Sequence, residues 1–176
     1  MQSVEQDLYS VAMSASSQGV DEPGPDLPFL FSELVRLETE LWNAVESRLR
    51  AEFRVTLPVY EFLQVISSYR ACRVQDIAAG LSITVGGTSK IVDRIEASGY
   101  CVRSANPADR RSSIITLTPS GQRLLPKLAA AVDGELRSLL GTGLSDRSLV
   151  QLTSTLTRLR GAVRARDARE AIDKTA

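Results

Sequence analysis

SITVGGTSKIVDRIEASGYCVRSANPADRRSSIITLTPSG, residues 82–121, decides how the chain is read. Thr84 stands where an N-cap belongs, and Gly99 where a helix hands over to the next segment. At about 100° per residue, Val85, Thr88, Ile91, Val92 and Ile95 share one side of that helix. Gly86, Gly87, Lys90, Asp93 and Arg94 share the other. The first side is expected to meet the core. Next come YCVRS and SIITLT, rich in β-branched residues and joined through Asn106-Pro107, which reads as a hairpin. Its tip carries two adjacent arginines, Arg110 and Arg111. Thr118 and Pro119 then open a new helix, with proline at the position where its missing N–H costs nothing.

Working outward, residues 29–53 form an amphipathic helix with Leu30, Leu34, Leu37, Leu41, Val45 and Leu49 as its stripe. Phe31, Val35 and Trp42 widen that stripe beyond what a small domain can cover, which points to a partner subunit. A helix begins at Pro58 and buries Val59, Phe62, Leu63 and Ile66; a short one, VQDIAAGL, follows. After the hairpin, Leu125, Leu128, Val132, Leu136 and Leu139 mark a long helix that Pro126 should bend. Gly141 and Gly143 end it, and Ser145 caps a last helix. There Leu149, Leu152, Leu156, Leu159 and Val163 form a seam of two heptads, suited to packing against another helix. Residues 1–26, ending in DEPGPD, read as a tail or a short extra helix, and 167–176 as a charged tail.

The fold class is therefore mainly α with a small β-hairpin wing. A winged helix-turn-helix core spans 56–118, flanked by helices at 29–53 and 119–165 that suit helix–helix packing, within or between subunits.

Composition removes several functions. The 43 % hydrophobic and 24 % charged residues are those of an ordinary globular protein. The chain has no histidine, so neither a Ser-His-Asp nor a Cys-His arrangement can form, and no histidine-ligated zinc. Gly86-Gly87-Thr88-Ser89-Lys90 lacks the spacing of a phosphate-binding loop. No catalytic residue, metal site or cofactor is expected, and the protein is not read as an enzyme. No apolar run is long enough to span a bilayer and the first residues do not look like a signal peptide, so a cytoplasmic protein without membrane contact is expected.

Net charge is zero, with 21 basic and 21 acidic residues, but it is unevenly spread. Between Arg70 and Arg111 there are seven basic residues against four acidic ones. A short helix, a tight link, a second helix and a hairpin place that second helix in a major groove of double-stranded DNA. Gly86 and Gly87 permit close approach, while Thr84, Thr88, Ser89, Lys90 and Arg94 offer groups for phosphate or base edges. The hairpin tip arrives over the neighbouring minor groove, whose negative potential suits arginine. Arg110 and Arg111 fill that role, with Asp109 placed to orient one of them.

SKIVDRIEASGY and NPADRRSSIITLTPSG together resemble the signature of the MarR (multiple antibiotic resistance regulator) family, most specifically in Asp109-x-Arg111. The order of helices from Phe29 to Val163 is similar too, so the resemblance covers residues 27–166. It implies a homodimeric winged-helix transcription regulator, a repressor, on a pseudo-palindromic operator. Helix 84–98 would read the major groove and Arg111 the minor groove, with the terminal helices as the dimer interface. It further implies release of DNA by a small ligand held near that interface. The first helix has no cysteine where peroxide-sensing members carry theirs, which argues against thiol sensing by that route.

Two other readings stay open at this level. The hairpin can instead grip a partner protein, without sequence-specific DNA binding. Cys72 or Cys101 can act as a redox thiol, since arginine neighbours lower a thiol pKa. For a lipophilic or aromatic ligand, the candidate residues are Trp42, Tyr60 and Tyr69; as core residues they need no such role.

Overall fold

The computed structural model describes residues 24–109 and 111–173. The expected tail or extra helix therefore lies outside the described residues apart from 24–26. The chain divides into two compact units, residues 1–36 and 37–176, a boundary within the first helix.

Six helices and two strands make up the described residues: α1 (Leu27–Phe53), α2 (Leu57–Ser68), α3 (Val74–Leu81), α4 (Val85–Ala97), β1 (Cys101–Ala105), β2 (Ser113–Leu117), α5 (Pro119–Leu140) and α6 (Asp146–Asp173). This is a mainly helical winged-helix fold with one small antiparallel sheet. In the N-terminal unit, Asp26 starts α1 by accepting the Phe29 N–H at 3.0 Å. Leu27, Phe29, Leu30, Phe31 and Val35 all lie exposed there.

The C-terminal unit is built around Leu49 of α1, Phe62 and Leu63 of α2, Ile77 of α3, Ile95 of α4, Ile115 of β2 and Leu128 of α5, all essentially without solvent contact. The β-strands pair antiparallel in the register Cys101↔Leu117 to Ala105↔Ser113. A 2.7 Å bond from the Ile115 N–H to the Cys72 carbonyl ties the wing to the link before α3. Both thiols, Cys72 and Cys101, are buried.

Several helix ends have local causes visible in the chain. Thr84 and Thr118 cap α4 and α5 through the N–H groups of Gly87 and Gly121, at 3.3 and 3.1 Å. Gly99 takes φ +76° past the end of α4, letting its own N–H and that of Tyr100 bond back to Glu96 and Ile95. Ser145 caps α6 through the Ser148 N–H at 3.2 Å. One cap is tertiary. Thr56 makes no side-chain bond at the start of α2, and the Glu46 carboxylate of α1 accepts the Leu57 N–H instead. A negative group at that helix end is favoured by its aligned dipoles.

Helix α5 runs through Pro126, which lies inside it. One expectation changes in detail. The charged stretch 167–176, expected as a tail, is helical as far as Asp173, with an Arg166–Glu170 pair one turn apart. No helix among the described residues is long and apolar enough to cross a membrane.

Candidate nucleic-acid interface

Helix α4 turns its two faces as its periodicity demands, except at its ends. Val92 and Ile95 are buried, and Thr88 is 0 % exposed, its hydroxyl donating to the Thr84 carbonyl at 2.8 Å. Thr88 therefore belongs to the core side and cannot serve as a groove contact. Val85, placed on the core side by its helical angle, is 52 % exposed instead. It opens the helix, and the core is filled by the turns after it. Thr84, Gly86, Gly87, Lys90 and Arg94 are exposed, and Ser89 is half-buried.

The two glycines need a reason, since each costs a helix about 1 kcal/mol. Helix packing does not supply it. A Cβ on Gly86 would meet nothing within 4 Å, and one on Gly87 would meet only the capping Thr84 hydroxyl at 3.2 Å. What the glycines leave is a smooth outer surface on the first turn.

The wing is fastened to α4 by Arg103, a residue the sequence reading counted only as a charge. Its guanidinium pairs with Asp93, and with Glu96 at 3.2 Å, and donates to the Ser89 carbonyl at 3.3 Å. Its backbone N–H donates to Glu96 at 2.8 Å. Asp93 and Glu96 sit one turn apart on α4, opposite β1. That i, i+3 acidic pair facing an arginine strand was the available signal, but it becomes one only once strand and helix are side by side.

The hairpin tip is organised by side chains bonding to backbone. Asn106 accepts the Ala108 N–H at 3.0 Å and donates to Ser112, and Asp109 accepts the Arg111 N–H at 3.0 Å. Asp109 therefore holds Arg111 by its main chain. The Arg111 side chain is exposed and has no partner among the described residues. Arg110 lies outside the described residues.

Charge on this face is consequently sorted. Arg73 is held by Asp76 in a reciprocal cap at the start of α3. Burial alone would raise the Asp76 carboxyl, but hydrogen bonds from the Arg73 side chain and N–H outweigh it and hold the pKa low. Arg103 is spent on α4. Lys90, Arg94 and Arg111 stay unpaired among the described residues. A cleft of about 540 Å³ runs between α4 and the wing, bordered by Val85, Gly86, Ser89, Asp109 and Arg111.

The three ligand candidates are not brought together. Trp42 borders a cleft of about 280 Å³ with Glu46, Arg50, Thr56 and Arg94. Tyr69 borders a different one, beside Ile66 and Gln122. Tyr60 is a core residue whose phenol accepts from Gln64 at 2.6 Å; burial pushes its pKa up, and that bond opposes the shift.

Cys72 and Cys101 are 0 % and 2 % exposed, and burial pushes both thiols up to about 11. The arginine neighbours do not activate them. In the native protein neither thiol is expected to react with a water-soluble disulfide reagent at pH 8, and both should react in denaturant. Rapid native labelling would contradict this burial. The sign of the linkage follows. The folded state favours the protonated thiols, so this contribution to stability is complete below the ordinary value of 9.0 and declines as pH rises toward 11.

With this geometry in place, the likenesses to known proteins are informative. The model of the MarR family matches residues 55–113. Among curated relatives, the uncharacterised HTH-type transcriptional regulator YfiV of Bacillus subtilis (strain 168) is 29 % identical over 70 residues, 40 % of this chain and 44 % of that protein. The HTH-type transcriptional regulator BilQ of Clostridioides difficile (strain CD3) is 26 % identical over 73 residues, 42 % and 49 % of the two chains. The chain thus spans just under half the length of these relatives. Solved structures align further. The transcriptional repressor CouR, bound to a 23-mer DNA duplex, superposes with TM-score 0.70 at 23 % identity, over 81 % of this chain and 99 % of that one. CouR from Rhodococcus jostii RHA1, bound to p-coumaroyl-CoA, gives TM-score 0.65 at 25 % identity over 80 % and 95 %. Residues 55–113 thus match the model of the MarR family, and the fold as a whole is shared with these solved structures.

Proposed function

We propose that the protein is a homodimeric, sequence-specific DNA-binding transcriptional repressor. One observation carries this reading: Arg103 occupies the acidic groups of α4, while Lys90, Arg94 and Arg111 have no ion-pair partner among the described residues, beside a glycine-smoothed helix start. A chain of zero net charge thus presents a basic groove-sized face. Helix α4 enters the major groove and Arg111 the adjacent minor groove. The second copy covers the exposed apolar rows, Phe29, Leu30 and Phe31 on α1 and Leu152, Leu156, Leu159 and Val163 on α6. A two-fold dimer then binds half-sites about 10 bp apart.

Selection from a random duplex pool near physiological salt tests this. An inverted repeat with one-turn spacing is the expected product. Arg111→Ala is expected to weaken binding by roughly 1–3 kcal/mol, about ten- to a hundredfold, and to relax preference at A·T pairs in the flanks. If the variant binds every sequence like the parent, the wing does not act in this way. If the parent is not retained on DNA even at low salt, where phosphate contacts are strongest, the hairpin serves a protein partner.

Release by a ligand forms the second part of the proposal. Arg94 borders both the DNA face and the Trp42 cleft, where Arg50 is paired with Glu46, so Arg94 is the cation that a small aromatic carboxylate would meet there. Trp42 is the single tryptophan, so its fluorescence reports occupancy directly. A carboxylate that frees the operator is expected to quench it in the same concentration range. Release with unchanged emission places the ligand elsewhere.

A further inference from the structure

The first turn of α4 offers DNA very little to be recognised by. Gly86 and Gly87 have no side chain, and Thr88 is 0 % exposed with its hydroxyl bonded to Thr84. Val85 is therefore the one side chain in the first four residues of α4 that reaches solvent, at 52 % exposure. Base edges are read mainly from the N-terminal residues of such a helix. An isopropyl group carries no donor or acceptor, so it cannot read the hydrogen-bonding pattern of a base pair. The one apolar feature on the major-groove edge is the C5-methyl of thymine.

Its position supports this. Val85 borders the same cleft as Gly86, Ser89 and Arg111, the side on which the proposed docking runs the DNA backbone between helix and wing. The thymine methyl lies toward that edge of the groove. Gly86 stands next to Val85 with open space where a Cβ would be, so the helix start approaches without obstruction. Ser89, one turn on, is half-buried and carries a hydroxyl, which is no apolar partner for a methyl group.

We infer that Val85 is a specificity-determining residue that packs on a thymine methyl in each half-site. The inference rests on the DNA-binding reading above. Its experiment uses the full-length dimer and the operator obtained by selection, with each thymine of the half-site replaced singly by deoxyuridine. That exchange removes one methyl and leaves pairing unchanged. One thymine per half-site is expected to show a loss of about fourfold, the value of a buried methyl group. In Val85→Ala the same exchange should have no effect, because the partner of the methyl is gone. Val85→Thr, which keeps the shape and one methyl, should retain part of the discrimination. The inference is overturned if no deoxyuridine exchange weakens binding, or if the loss persists undiminished in Val85→Ala. Failure to enrich any sequence removes the DNA-binding reading itself, a result distinct from either of these.

Discussion

Gly121→Ala is expected to destabilise the protein by about 3 kcal/mol, the upper end of what overpacking a well-filled site does. A Cβ at this position would lie 2.1 Å from the Tyr100 carbonyl oxygen and 3.1 Å from its carbon. Both are backbone atoms, so no side chain can swing aside. That carbonyl also accepts the Thr118 N–H at 3.1 Å, and the Thr118 hydroxyl donates to Gly99 at 2.6 Å. The start of α5 is thus clamped to the junction between α4 and β1, and a methyl group forces these bonds apart. Thermal unfolding should show a fall of roughly 6–12 °C for a chain of this length. Gly134→Ala serves as the control in the same helix. Nothing lies within 4 Å of a Cβ there, so it should be neutral or stabilising by up to about 1 kcal/mol. Equal stability of the two variants would show that the contact at Tyr100 is not tight.

Arg103→Met is expected to lower affinity for the selected operator by about tenfold or more, roughly 1.4 kcal/mol, with the domain still folded. Two effects act in one direction. The wing loses its attachment to α4, so on the proposed reading the helix and Arg111 no longer reach their grooves in register. Asp93 and Glu96 also regain uncompensated charge on a face that must meet phosphate. The loss of fold stability should be small, because Arg103, Glu96 and Asp93 keep 24 %, 34 % and 59 % of their side-chain surface. A positioning role has its own signature. Adding Asp93→Asn and Glu96→Gln to Arg103→Met should recover part of the affinity by removing the repulsion. If Arg103 contacted phosphate itself, the dependence of affinity on salt would flatten by about one charge and the added changes would not restore it. Unchanged operator affinity in Arg103→Met would refute both accounts.

Much of the architecture was legible in short stretches of the chain. Apolar spacing located all six described helices, and β-branched runs around Asn106-Pro107 located the hairpin. Thr84, Thr118 and Ser145 announced helix starts, and Gly99 a helix end. These features come from interactions between residues a few positions apart, so the order of residues alone determines them. The same holds for the absent histidine, which limits the available chemistry without reference to any fold.

Other features were decided only when the elements crossed. Val85 and Thr88 lie on one side of the helical wheel, yet one is exposed and the other buried, because burial depends on where the core ends along α4 as well as on angle. Arg103 meets Asp93 and Glu96 across a strand and a helix, and whether a charge is free or spent depends on gaps of a few ångströms. Asp109 accepts the Arg111 backbone N–H, Glu46 caps a helix other than its own, and Trp42, Tyr60 and Tyr69 went to separate surroundings. The sequence by itself determined the elements, their ends and the wing, since those follow from bonding within a few residues. The tertiary structure alone decided which cations among the described residues lack a carboxylate partner, because that follows from which distant carboxylates the packing brings within reach.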